Sequence, residues 1–116
     1  IVDDSETVLH YLKNILVKNG LNVITRKDGK EALDYLMDTR HNVPNLLITD
    51  LEMPIMKGDE LILSLKKINR LNRLPVIIVA SNPENQIYML EDKIVNGILK
   101  KPFNKDELIQ QVNYLV

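Results

Sequence analysis

The chain has 116 residues, the size of one domain, and 15 Lys and Arg against 16 Asp and Glu leave a net charge of −1. That balance excludes a chain-wide basic field for nucleic acid or anionic membrane, and it excludes a strongly acidic tail. With 45% hydrophobic residues, no cysteine and no apolar run near about 20 residues, the composition excludes disulfides, thiolate chemistry and a membrane span. A cysteine-free chain without a signal peptide reads as cytoplasmic, in a reducing compartment.

In chain order, Ile1-Val2 reads as the tail of a strand already under way, so a few residues of that strand are expected to precede it. Ser5 to Asn19 follows with helical spacing, placing Val8, Leu12, Ile15 and Leu16 on one stripe before the helix stop at Gly20. Val23-Ile24-Thr25 is a second strand. Asp28 and Glu31 then have the spacing of a capping box for a helix carrying Ala32, Leu33, Leu36 and Met37. Leu46-Leu47-Ile48-Thr49 is a third strand, and Gly58 to Arg70 a helix with Leu61, Ile62, Leu65 and Ile68 inward.

Val76 to Ala80 is a fourth strand, apolar throughout, as a strand covered on both faces must be. Asn82-Pro83-Glu84 starts a helix that runs to Asn96-Gly97 on an Ile87/Leu90/Ile94 stripe, leaving Tyr88 and Met89 partly exposed. Ile98-Leu99 is the fifth strand, and Asn104 caps a last helix with Leu108, Val112 and Leu115. Five strands alternating with five helices predict an α/β fold, a doubly wound five-stranded parallel sheet.

In such sheets ligands bind beyond the carboxyl ends of the strands. Asp3 and Asp4 follow the first strand, Asp50 the third, Ser81 the fourth, and Lys101-Pro102-Phe103 the fifth. Any one of these is an ordinary solvated loop residue. Three carboxylates brought together are different, because they repel unless a cation neutralises them. Magnesium suits that site: Asp4, Asp50 and a backbone carbonyl after Asp50 supply oxygens, with Asp3 ligating directly or through water. His10 and His41 lie outside the cluster and read as surface residues, so zinc is not indicated. A carboxylate beside Mg²⁺ and a lysine can accept a phosphoryl group, and no nucleotide-binding glycine loop is present to hold the donor.

Val2-Asp3-Asp4-Ser5, Asp50-Leu51-Glu52-Met53-Pro54 with Met56 and Gly58, and Lys100-Lys101-Pro102-Phe103 span essentially the whole chain. Together they resemble the receiver domain of bacterial two-component response regulators, of the chemotaxis-regulator kind. The resemblance implies a single receiver domain over 1–116, flavodoxin-like with strand order 2-1-3-4-5. It implies a phosphoacceptor at Asp50, Mg²⁺ held by Asp3, Asp4, Asp50 and the backbone carbonyl of Glu52, and phosphate contact by Lys101. It also implies a cis Lys101-Pro102 peptide, and a role for Gly58 in loop geometry. The expected partner is a histidine kinase or phosphotransfer protein. The expected activity is regulatory and not enzymatic beyond self-phosphotransfer and slow self-dephosphorylation.

The sequence departs from that family at two positions. The Thr or Ser expected at the end of the fourth strand falls on Ala80, with a hydroxyl one residue later at Ser81, and the expected aromatic three residues before Lys101 is Ile98. Tyr88, Met89, Lys100, Phe103 and Tyr114 would line a face of the fourth helix, fifth strand and fifth helix that serves a homodimer or an output domain in many receivers. Lys66, Lys67, Arg70 and Arg73 form a basic stripe that reads as a solvated face. Two further readings stand beside a phosphorylation switch: a non-switching receiver-like interaction module, and a small Mg²⁺-dependent phosphatase. The phosphatase reading lacks the second Asp of an Asp-x-Asp pair, since Glu52 stands there. A flavin carrier would need a phosphate loop and stacking aromatics after the first strand.

Overall fold

Val76–Ala80 is buried at all five positions, and it is the centre about which the other elements assemble. In the computed structural model, which describes residues 1–116, the elements are α1 (Glu6–Lys18), α2 (Gly29–Met37), β1 (Leu47–Thr49), α3 (Gly58–Lys66), β2 (Val76–Ala80), α4 (Ile87–Glu91), β3 (Gly97–Lys100) and α5 (Lys105–Leu115). A 3₁₀ turn, Glu84–Gln86, precedes α4. The strands pair in parallel in the order β1-β2-β3, with Ile48 opposite Ile77 and Ala80 opposite Lys100.

The first two predicted strands are present only as single parallel bridges, Val2 to Thr49 on one side and Val2 to Arg26 on the other. Val2 N–H donates to the Ile48 carbonyl at 2.8 Å, and Arg26 N–H donates to the Ile1 carbonyl at 2.9 Å. The spatial sequence is therefore Arg26, Val2, β1, β2, β3, which is the expected order 2-1-3-4-5. Val23-Ile24-Thr25 falls short of a strand because it lies at the sheet edge, beside a neighbour that turns into the acidic pair after Val2.

Alternation along β2 divides the core. Val76, Ile78 and Ala80 face the cluster that includes Leu36 of α2, Leu61, Ile62 and Leu65 of α3, and Met89 of α4. Ile77 and Val79 face Leu12, Ile15 and Leu16 of α1 and Leu108 and Val112 of α5. Local caps begin three of the helices, at Asp28 and Asn104 as the sequence predicts and at Ser5 in addition. Ser5 Oγ accepts from Val8 N–H, Asp28 from Glu31 N–H at 2.8 Å, and Asn104 from Asp106 N–H at 2.7 Å. No helix is long and apolar enough to cross a membrane.

Three expectations need correction. First, α3 ends at Lys66 and not Arg70, because a chain of turns from Ile68 to Leu74 replaces it. Arg70 reaches back to the carbonyls of Leu36 and His41, and Lys66 to that of Asn72, so the basic stripe partly serves to tie loops together. Second, the fourth helix is five residues and not a run from Asn82 to Asn96. Its N-terminus has no side-chain cap, and at its end Lys93 turns to φ 60° while Ile94 and Val95 both donate to the Met89 carbonyl.

Third, the 3₁₀ turn and this early stop shift the phase of the apolar stripe. Met89 is wholly buried, whereas Ile87 and Leu90, expected inward, are 47% and 42% exposed. Phe103 also leaves the proposed patch. It packs against the α1/α5 cluster with its ring 6.3 Å from Tyr11, while Tyr88 and Tyr114 are exposed as expected. Met89 is the one buried residue of α4, so Met89→Ala should cost about 2–5 kcal/mol in urea unfolding. A loss below about 1 kcal/mol would show that the segment is anchored by something else.

Candidate functional site

Three strand ends deliver the site. The Val2 segment presents Asp3 and Asp4, β1 runs into Asp50, and β3 runs into Lys101. Asp3, Asp4 and Asp50 each offer a carboxylate oxygen, and these oxygens lie within 4.8 Å of one another. Asp3 is 2% exposed and doubly held: Oδ1 accepts from Ser5 N–H at 2.9 Å and Oδ2 from Lys101 Nζ at 3.0 Å. Asp50, 9% exposed, accepts Leu51 N–H on Oδ1 at 2.8 Å and has Lys101 Nζ 3.6 Å from Oδ2. Asp4 is exposed. Three carboxylates thus face one ammonium.

Burial, above all, pushes the Asp50 carboxyl up from the ordinary Asp range, and the charges of Asp3 and Asp4 add to it. The Leu51 amide and Lys101 pull the other way and do not cancel the effect. The three converging carboxylates leave surplus negative charge beside this buried acid, which a hard divalent cation would relieve with the oxygens present.

Backbone contacts fix Asp50 from behind. Thr49 Oγ1, fully buried, donates to the Asp50 carbonyl at 2.8 Å. A Cβ on Gly58 would lie 2.0 Å from that same carbonyl oxygen, and Gly58 N–H donates to the Leu51 carbonyl at 2.8 Å. Glycine is required here by close backbone approach and not by its φ. Between them Ile55 sits at φ 71°, its side chain 80% exposed, as the Met56 amide folds back to the Pro54 carbonyl. A β-branched residue in that region stores strain beside the acidic cluster. Thr49 and the Ser5 amide were not singled out in the sequence. A hydroxyl inside an otherwise apolar strand was the available signal for Thr49.

Ala80 is buried at the end of β2, and its carbonyl accepts Lys101 N–H at 2.8 Å. Ser81 follows and is exposed, as is the Glu52 side chain. Ile98 is partly buried against the α2/α3/α4 cluster. The Lys101-Pro102 peptide is cis, as the resemblance implied. His10 and His41 stand apart from the acids, His41 stacking on Tyr35 with ring centroids 4.2 Å apart.

A sheet of this topology, with two acids after its first segment, an acid after its third and a Lys–cis-Pro after its fifth, defines a signalling receiver. Residues 1–113 match the response regulator receiver domain family, and the chain belongs to it. It is 32% identical over 111 residues to PilG of Pseudomonas aeruginosa, covering 94% of the chain and 79% of that protein. It is 30% identical to the sensor histidine kinase TmoS of Ectopseudomonas mendocina, but spans only 12% of that protein's length. Among solved structures, the receiver domain of the Francisella response regulator 1452 superposes with a TM-score of 0.84 at 35% identity, covering 98% of this chain and 91% of that one.

The raised Asp50 carboxyl carries a stability consequence. The folded state holds this proton more tightly than the unfolded chain does. Its contribution is therefore complete below the ordinary Asp value of about 3.9 and lost as pH rises through the higher folded value. In metal-free buffer, Asp50→Asn should raise the melting temperature near neutral pH and confer nothing in acid below that ordinary value. Thermal unfolding across this range checks it, and a neutral-pH loss in the variant would contradict it.

Proposed function

We propose that this receiver takes a phosphoryl group onto Asp50 from a phosphohistidine of a partner histidine kinase or phosphotransfer protein. Supporting this is one observation above all: a nearly buried carboxylate at a strand end, with its Oδ2 3.6 Å from an ammonium that also holds Asp3. Asp50 attacks phosphorus, the bond to the donor imidazole nitrogen breaks, and an acyl phosphate forms. Lys101 neutralises the phosphoryl oxygens, and the Leu51 amide already orients the acceptor carboxylate. Such a domain acts as a regulatory acceptor. A phosphatase reading is disfavoured because the residue two beyond Asp50 is Glu52, exposed and not converging on the cluster.

Mg²⁺ would be held by Asp3, Asp4, Asp50 and the backbone carbonyl of Glu52, and when bound it supplies charge neutralisation for the incoming phosphoryl group. The three converging carboxylates and the single opposing lysine fit a hard cation. Signalling beyond Asp50 is proposed to be weak. Ala80 has no hydroxyl to offer a phosphoryl oxygen, Ser81 would have to swing in to replace it, and Ile98 has no polar ring to reorient. One lost hydrogen bond to a charged group is worth about 1.5–3 kcal/mol, as much as a typical allosteric coupling of about 1–3 kcal/mol. The exposed Tyr88 and Tyr114 make the α4–β3–α5 face the proposed surface for a second copy or an output domain.

Incubation with acetyl phosphate and Mg²⁺ should add one phosphoryl mass to the wild type and none to Asp50→Asn. Equal uptake by the variant would place the acceptor elsewhere. Mg²⁺ alone should raise the melting temperature by mass action, and Asp4→Ala should remove most of that gain. An unchanged melting temperature in a phosphorylation-competent wild type would count against a preformed cation site.

A further inference from the structure

We propose that the Lys100–Glu84 ion pair is the link through which the acceptor site biases the α4 segment; this rests on Asp50 being the phosphoacceptor. The carboxyl end of β3 carries two consecutive lysines with different partners. Lys101 Nζ sits in the acidic cluster, 3.0 Å from Asp3 and 3.6 Å from Asp50. Lys100 Nζ reaches Glu84 Oε1 at 3.2 Å, in the 3₁₀ turn that leads into α4. One short stretch of backbone, pinned to β2 by Lys101 N–H on the Ala80 carbonyl, therefore joins the acid pocket to the start of α4.

The element at the far end of this link is the least secured in the fold. α4 has five residues, no side-chain cap and one buried anchor, Met89, whereas α3 buries Gly58, Leu61, Ile62 and Leu65. At the same edge the uncharged groups offer no competing lever. Ala80 presents a methyl group, and Ile98 is a hydrocarbon packed on the core. Negative charge added at Asp50 draws the Lys101 ammonium from Asp3 toward Asp50. The β3 terminus follows, and Lys100 and its Glu84 partner are displaced with it. An exposed ion pair biases a two-state equilibrium by no more than about five-fold. The response of α4 is accordingly small, and salt suppresses it.

Amide ¹⁵N–¹H spectra of the whole chain, recorded with Mg²⁺ and with or without beryllofluoride, test the link. The loading-induced shifts of residues 84–91 should fall by at least half in Glu84→Gln and in Lys100→Met. They should return in the double charge swap Glu84→Lys with Lys100→Glu, and vanish in about 1 M salt, where the screening length is about 3 Å. Shifts near Asp4, Asp50 and Lys101 should be the same in every variant. If those site shifts occur but residues 84–91 respond equally in the wild type and both single variants, or do not respond in the wild type, the link is wrong and the acceptor reading stands. If beryllofluoride leaves the site amides unmoved, the acceptor reading fails and the link falls with it.

Discussion

The crowding of Asp3, Asp4 and Asp50 around a single ammonium is the constraint on which the rest of this structure depends. Like charges at such separations are tolerated only where something rigid holds them, and three parallel backbone segments ending at one edge supply the rigidity. Each acid has a distinct means of restraint. Asp3 is fixed by the Ser5 amide and Lys101, Asp50 by the Leu51 amide, and Asp4 remains solvated. The Asp50 carboxyl is pushed up from the ordinary Asp range, by burial first and by the neighbouring acids second. A cation or an added ligand at this edge therefore acts on the energy of the whole fold and not only on a local contact.

The backbone behind the acids is as specific as the side chains. Gly58 lets the start of α3 approach the Asp50 carbonyl, and the buried Thr49 hydroxyl caps that same oxygen. This couples Asp50 firmly to α3, which is packed deep in the core. On the other flank, α4 is held by Met89 and by turns closing on its carbonyl. The domain thus has a stiff side and a loose side about one sheet. Local opening is expected where few apolar contacts oppose it, so the loose side is where a change of charge can have mechanical effect.

Much of this is legible in the sequence. Short, β-branched, uninterrupted apolar runs such as Val76 to Ala80 read as strands covered on both faces, and in a parallel sheet the acids or lysines directly after such runs gather at one edge. Helix starts were legible at Asp28 and Asn104, where a capping residue stands in the chain. Where no cap was used, at α4, both boundaries and the buried face came out differently. Periodicity over Ile87, Leu90 and Ile94 favoured a longer helix, yet packing chose Met89.

The sequence by itself determined a parallel sheet covered on both faces and the identity of the residues at its carboxyl edge, because hydrophobic period and chain chirality leave few alternatives, whereas the strand order was implied by the family resemblance. Only the tertiary structure decided how those residues share their charges. Lys101 bonds Asp3 more closely than Asp50, Lys100 turns to Glu84, and Thr49 and Gly58 meet at one carbonyl oxygen. Distances of that kind arise from long-range packing between segments far apart in the chain, as with Asp3 and Lys101, and no local pattern encodes them.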